Sequence, residues 1–200
     1  DGSQLGTLCI IDDKPRTLTR EELETLKDFS AMAEREIAAV QLATIDELTQ
    51  ISNRRGFMML AEHGLNLCIR QKIPASLVFF DLDKLKIIND DFGHAEGDKA
   101  LMIFSDYIKN SLRESDLFGR IGGDEFVVLF TNTKKNQAKD IIKRSLLLFE
   151  NYNKNNLEKY NISFSYGIVD YNPLHHHNID ALMADGDVKM YHQKNKKINH

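Results

Sequence analysis

Two short acidic stretches hold the residues best suited to chemistry. Asp81 and Asp83 close the apolar run Leu77 to Phe80. Asp124 and Glu125 follow a glycine pair in Arg120-Ile121-Gly122-Gly123-Asp124-Glu125-Phe126-Val127-Val128-Leu129-Phe130. Carboxylates at the ends of rigid strands can converge on a hard cation. Oxygen donors around a small cavity suit Mg²⁺, which keeps several waters and also binds substrate phosphates. A solvated acidic turn would read the same over so few residues, because short motifs carry a real false-positive risk. What separates the two readings is pairing. If the strand ending at Asp81 lies beside the hairpin, the acids meet at one sheet edge.

The elements that would position these acids follow from periodicity. The stretch Arg120 to Phe130 reads as strand, two-residue turn and strand, with Gly122 and Gly123 supplying positive φ. Leu77 to Phe80 reads as a central strand buried on both faces. Before it, Leu5 to Ile11 is strand-like, and Asp12-Asp13-Lys14-Pro15 is a turn signal. Thr19 and Glu22 form a capping box that opens a helix to about Leu48. Leu26, Ala33 and Val40, interleaved with Ser30, Ile37 and Thr44, give it a weak heptad stripe. That stripe suits either a parallel two-helix contact or one amphipathic helix lying on a domain. Asp46 to Phe57 reads as a structured entry loop. Further helices are expected over Phe57–Gln71, Lys84–Phe92, Lys99–Leu112, Gln137–Tyr152 and Ile179–Lys194, with Gly93–Asp98 as a loop. Ile162, Phe164, Tyr166 and Ile168 alternate as in a strand over Asn161–Val169. The fold class expected is α/β, an α+β sandwich: a mostly antiparallel central sheet flanked by helices, with an N-terminal linker helix.

Composition narrows the partners. The 200 residues are 42% hydrophobic and 28% charged, with a net charge of −4. No global basic field recruits a nucleic acid polymer or an anionic membrane, so polyphosphate binding would rest on local lysines and a metal. No run has the length of a membrane span, and no signal-peptide pattern opens the chain. Cys9 and Cys68 are expected to be buried, reduced thiols, which suits a cytoplasmic setting. The chain opens on Asp1 rather than Met, as a fragment of a longer protein would.

From Asp46 onward the chain resembles the GGDEF-domain diguanylate cyclases. The resemblance rests on five stretches in order: DELTQISNRRGF, FFDLDKLKIINDDFGHAEGD, RIGGDEFVVLF, SFSYGIVDY and ADGDVKMYHQKNKKIN. It implies the nucleotidyl-cyclase, palm-like fold and a reaction in which two GTP molecules condense to cyclic di-GMP with release of two pyrophosphates. It assigns Mg²⁺ (or Mn²⁺) to the Asp81 side chain, the Leu82 carbonyl and Asp124. Asp124 is also the proton acceptor, and Glu125 a neighbouring metal or charge partner, so Asp124 and Glu125 are the catalytic pair. Guanine selection falls to Asn89 and Asp98, since a carboxylate accepts from the guanine N1–H and amine together. Asp98 is expected near a helix N-cap, and Asn89 near a helix C-terminus. Triphosphate binding falls to Lys86, Lys194 and the amides of Lys84 and Leu85. Three departures stand out. Ile198 occupies a position usually held by arginine, with Lys196 or Lys197 as substitute point charges; Gln50 replaces a usual glycine; Lys84 and Leu85 replace an aromatic pair.

The same resemblance gives Arg113-Glu114-Ser115-Asp116 the form and offset of the family's inhibitory product site, RxxD. A solvated helix-end salt pair is the plainer alternative, and Arg144 is a weaker secondary contact. His175-His176-His177 is not expected to bind metal, because consecutive loop residues point apart. His94 is expected to steady its loop, and Met58, Met59 and Met102 to fill core. Residues Gly2 to Leu26 resemble the tail of a GAF sensor domain. The organisation expected is therefore 1–45, a GAF remnant and connector helix, and 46–200, a cyclase domain working as a homodimer on GTP. A catalytically silent receptor for cyclic di-GMP is the alternative, and a structural dimerisation module a third.

Overall fold

The computed structural model describes residues 6–156 and 159–198. The helices are α1 (Arg20–Thr44), α2 (Arg54–Gln71), α3 (Leu85–Phe92), α4 (His94–Lys109), α5 (Lys135–Asn155) and α6 (Ile179–Ile198); the strands are β1 (Ala75–Leu82), β2 (Leu117–Arg120), β3 (Glu125–Thr131) and β4 (Phe164–Asp170). The chain divides into two compact units, Asp1–Ala43 and Thr44–His200.

The second unit is a four-stranded sheet in the order β2-β3-β1-β4. Every pairing is antiparallel, with β1 at the centre between β3 and β4. All eight residues of β1 are buried, because helices cover both faces. Strand period sorts the side chains. Val78, Phe80 and Leu82 join Phe126, Val128, Phe130, Phe164 and Ile168 against α3, α4 and α5. Leu77 and Phe79 join Val127, Leu129 and Val169 against α2 and α6. The first core is centred on Phe104, whose ring meets Phe80, Phe126, Phe149 and Phe164 at centroid distances of 4.8–5.8 Å. Such ring pairs add about 0.5–1.5 kcal/mol each beyond their buried area.

Two glycines let α6 lie close on the sheet. A Cβ on Gly167 would stand 2.2 Å from the Gly186 carbonyl oxygen and 2.5 Å from the Met190 nitrogen; one on Gly186 would stand 2.8 Å from a Leu77 methyl. This close approach brings the far end of α6 over the end of β1.

Several boundaries differ from the sequence reading. Gly93–Asp98 is not a loop: Gly93, at φ +90°, separates α3 from α4. Glu96 to Asp98 thus belong to the first turns of α4, and Asp98 is not its N-cap. The hairpin tip is Ile121–Asp124 rather than two residues, closed by the Ile121 amide donating to the Glu125 carbonyl at 2.8 Å. Neither Gly122 nor Gly123 has positive φ. Space is what Gly122 supplies, since a Cβ there would meet a Glu125 carboxylate oxygen at 2.5 Å. Helix α2 starts earlier than expected, at Arg54, because the Asn53 side chain accepts from the Gly56 amide as an N-cap. Met59 and Met102 are exposed, so of the three methionines only Met58 packs against a core. Cys9 is exposed, not buried, and both cysteines are free thiols.

The first unit carries α1. Thr19 and Glu22 cap it reciprocally, the Thr19 amide donating to the Glu22 carboxylate at 2.8 Å and the Glu22 amide to the Thr19 hydroxyl at 3.2 Å. The helix ends at Thr44, short of the expected Leu48, and none of its residues is buried. Residues 6–11 form no strand; Leu5 lies outside the described residues. Among the described residues no helix is long and apolar enough to cross a membrane.

Candidate active site

The central strand β1 delivers the first acid. Asp81 sits at an odd position of β1, so its side chain shares the α6-covered face with Leu77 and Phe79. Glu125 is its direct cross-strand partner on β3, and so shares that face. The Leu82 amide donates to the Asp124 carbonyl at 2.9 Å, which locks the hairpin tip to the end of β1. The acids thus meet as the pairing hypothesis requires.

Their electrostatics record the crowding. Burial and the Asp124 charge push the Asp81 carboxyl up, against the opposing pull of Lys194. Glu125 is pushed up by burial and by Asp124, Asp187 and Asp81. The only cation against Asp81 in the contacts described is Lys194 of α6, whose Nζ lies 2.5 Å from Oδ1. Burial opposes charge on Lys194, but the Asp81 hydrogen bond and the surrounding carboxylates raise its pKa. Asp83 is tied separately: it accepts from Ser165 Oγ at 2.7 Å and from Lys197 Nζ at 2.9 Å. Lys197 also donates to the Phe164 carbonyl at the start of β4, so its ammonium ties the β1–α3 turn, through Asp83, to β4.

These donors fit a hard divalent cation. They are the carboxylates and the Leu82 carbonyl at the end of β1, and a cation would offset both the burial and the mutual repulsion that raise Asp81 and Glu125. Among the described residues no three acid, histidine or cysteine side chains already surround a common point. A cation here would draw its remaining ligands from water and phosphate, the usual habit of Mg²⁺.

Beside the acids opens a cavity of about 480 Å³, lined by Lys86, Asn89, His94, Asp98, Arg120 and Asp124 among others. Helix α3 supplies Lys86 and Asn89, α4 supplies Asp98, and the hairpin tip supplies Asp124. The Asn89 side chain rests in the space left by Gly97, where a Cβ would fall 1.9 Å from its Oδ1. Lys84 enters α3 at φ +62°, and no side chain caps the helix there. The first-turn amides at Lys84 and Leu85 are thus set at a helix N-terminus, where an anion is favoured.

Sequence reasoning gave Arg120 no role. Its guanidinium donates to the Gly123 carbonyl (Nη2, 2.7 Å) and to both Asp46 oxygens (Nη1, 3.2 and 3.4 Å). One side chain thus fixes the acidic tip to the entry loop, whose own turn is closed by Thr49 donating to Asp46. The signal was an arginine three residues before a tight tip, with an unassigned acid 74 residues upstream.

A second cavity, of about 440 Å³, lies at the α4–β2 connection and includes Arg113, Asp116, Leu60 and Phe118 in its wall. Arg113 and Asp116 do not form a side-chain salt bridge there. Instead the Arg113 amide donates to Asp116 Oδ2 at 3.0 Å. Asp116 Oδ1 is buried and makes no well-formed hydrogen bond; the Arg113 and Thr131 backbone amides favour its charge, but burial outweighs them and pushes the carboxyl up. Arg144 is exposed on α5. In the loop before α6, His176 is buried, with its Nδ1 accepting from the Asn172 amide at 3.0 Å and its Nε2 3.4 Å from Asp185, whereas His175 and His177 are exposed.

Residues 43–200 match the family described as diguanylate cyclase, GGDEF domain. Diguanylate cyclase DgcP of Escherichia coli K12 is 26% identical over 212 residues, covering 98% of this chain and 62% of the relative. Probable diguanylate cyclase DgcC of the same strain is 31% identical over 156 residues, covering 76% of this chain and 41% of the relative. The chain therefore spans under two thirds of the length of these relatives. Among solved structures, the GGDEF domain of PA1120 (TpbB or YfiN) from Pseudomonas aeruginosa superposes with a TM-score of 0.69 at 32% identity, covering 76% of this chain and 89% of that one. The coiled coil and GGDEF domain of DgcB from Caulobacter crescentus, in complex with c-di-GMP, gives a TM-score of 0.79 at 19% identity, covering 87% and 92%; at that identity it attests the fold.

Proposed function

Because this chain belongs to the GGDEF-domain diguanylate cyclase family, we propose that it condenses two GTP molecules into cyclic di-GMP and two pyrophosphates. The observation that carries the reading is the convergence of Asp81, Asp124 and Glu125 at one end of the sheet, beside the cavity that holds Asn89, Asp98 and Lys86. The Asp81 carboxylate, the Leu82 carbonyl, Asp124 and Glu125 would hold Mg²⁺ or Mn²⁺, which when bound neutralises charge on a transferring phosphoryl group. Asn89 and Asp98 bind the base. Asp98 accepts from the guanine N1–H and amine; adenine would leave its carboxylate facing a lone pair, a strong basis for rejection. Lys86, Lys194 and the amides of Lys84 and Leu85 take the triphosphate. Lys194 would exchange its bond to Asp81 for phosphate oxygens. Asp124 accepts the proton of the ribose 3′-hydroxyl as that oxygen attacks the α-phosphorus of the second GTP, and pyrophosphate departs.

On this reading each subunit holds one GTP beside its acids, so the working species is a homodimer with two sites facing. Product feedback is assigned to Arg113 and Asp116. Asp116 lines the second cavity, and its Oδ1 makes no well-formed hydrogen bond, which supports a ligand that donates to this carboxylate, as the guanine Watson–Crick edge does. The unit before Thr44 is assigned the role of a connector from a sensor of GAF type, in a cytoplasmic setting.

Purified protein supplied with GTP and Mg²⁺ tests the reading. Cyclic dinucleotide, resolved by liquid chromatography, is the expected product, and Asp124→Asn is expected to abolish it. Product-free incubations at high protein concentration, with cyclic di-GMP still bound calorimetrically through Arg113, would instead identify a receptor. Ile198 in place of an arginine favours that second reading; the intact acids oppose it.

A further inference from the structure

The turn between α3 and α4 decides how far apart Asn89 and Asp98 stand, and backbone hydrogen bonds rather than side-chain caps close it: the Gly93 amide donates to the Asn89 carbonyl, and the Glu96 and Gly97 amides to the Gly93 carbonyl. Gly93 occupies a left-handed φ of +90°, and the N-terminus of α4 has no side-chain cap. The residues Asp91 to Ala95 are exposed, so core packing does not fix them. A residue 64 positions from Glu96 supplies what is missing. The Tyr160 hydroxyl lies 2.8 Å from a Glu96 carboxylate oxygen and 3.1 Å from the Glu96 carbonyl. The Tyr160 ring also packs on Phe92, with centroids 5.4 Å apart. One side chain therefore grips the last residue of α3 and the first turn of α4, on either side of Gly93. The grip lies close to the base-contacting pair. Phe92 is three residues from Asn89, Glu96 is two from Asp98, and Gly97 between them carries the Asn89 amide in the space of its missing Cβ.

We propose that Tyr160 is a positioning residue for base selection, setting the separation of Asn89 and Asp98 from the preceding loop of β4. The proposal rests on the reading of this cavity as a guanine site. Tyr160 touches no reacting atom, so its effect falls on recognition of the base rather than on phosphoryl transfer. The reason is geometric: a carboxylate that must meet N1–H and the exocyclic amine at once tolerates less displacement than a single hydrogen bond does.

Calorimetric titration with Mg²⁺ and 3′-deoxy-GTP, which lacks the attacking hydroxyl, tests this beside the inosine analogue, which lacks the amine. The wild-type chain is expected to prefer the guanine form. Tyr160→Phe keeps the ring on Phe92 and removes the bonds to Glu96. It is expected to lower the guanine preference about tenfold, the scale of a lost hydrogen bond to a charged acceptor. Glu96→Ala, which leaves only the Glu96 carbonyl to accept from the hydroxyl, should reproduce part of that loss, and Glu96→Gln, which still accepts from the hydroxyl through its side chain, should restore most of it. Asp98→Ala is the control on the site itself. If Asp98→Ala erases the preference while Tyr160→Phe and Glu96→Ala retain it, the positioning role is overturned and the guanine site stands. If Asp98→Ala also leaves the preference intact, both fall. A similar loss of affinity for both analogues in Tyr160→Phe, with the preference unchanged, would mark a merely structural contact and likewise overturn the proposal.

Discussion

Two acids outside the metal constellation, the half-buried Asp46 and the buried Asp116, respond to pH in opposite senses, and each does so for a local reason. Burial disfavours the Asp46 charge, but hydrogen bonds from Thr49 and the Arg120 guanidinium outweigh it and hold its carboxyl below the usual range. A depressed folded pKa contributes stability that is present above the unfolded value of about 4 and is lost as pH falls through the lower folded value. Asp46→Asn is therefore expected to destabilise at pH 7 and to cost progressively less below about pH 4; urea midpoints for both chains across that range would measure it, and a pH-independent difference would refute it. Asp116 runs the other way. Burial raises its pKa, so its charge is a cost to folding at neutral pH that protonation relieves as pH falls through the raised value. Removing that cost with Asp116→Asn should leave the fold intact or firmer at pH 7 while weakening cyclic di-GMP binding at least tenfold, the scale of a charged hydrogen bond. Unchanged product affinity by calorimetry would remove Asp116 from the inhibitory site.

At the scale of elements, the site depends on how closely α6 lies on the sheet. Gly167 has no room for a Cβ against the Gly186 carbonyl and the Met190 amide, and both obstacles are backbone. Gly167→Ala would lift α6, at a cost of about 1–3 kcal/mol for overpacking, and would carry Lys194 and Lys197 away from Asp81 and Asp83. Lower stability by urea denaturation, together with weaker triphosphate binding, is the expected result; full retention of both would show that α6 tolerates displacement. This dependence also shows what the sequence could reveal. The apolar run before Asp81, the β-branched run after Glu125 and the alternation through Phe164 expose strand period directly, so the sheet and its acids were legible. Helix starts were less so. Gly93 read as the head of a loop because a lone glycine between Phe92 and His94 gives no sign that α4 begins one residue later. Phenolic contacts such as Tyr160 to Glu96, and the Arg120 to Asp46 tie, join positions far apart in sequence. Only the packing of α3, α4 and the entry loop brings them together.

The whole molecule carries both cores and every candidate site residue within Thr44–His200, and α1 buries none of its side chains. Removing residues 1–43 should therefore leave a cooperative unfolding transition whose midpoint shifts by little, since the buried residues of both cores lie within 44–200 among the described residues. Turnover is a different matter. On the proposed reading each copy holds one guanosine triphosphate in the cavity of about 480 Å³, and closing a cyclic dinucleotide needs two, presented 3′-oxygen to α-phosphorus by separate copies. Collision of two copies then enters the rate, and specific activity should climb with protein concentration before levelling off. The heptad spacing of Leu26, Ala33 and Val40 gives α1 a stripe that could pair copies and raise their effective concentration. The shortened chain is then expected to need more protein to reach the same plateau, with the plateau itself unchanged. A dilution series followed by product chromatography distinguishes the cases. If both chains hold constant specific activity across several decades of dilution, well below any measured association, a single copy completes the reaction and the facing-site arrangement is wrong.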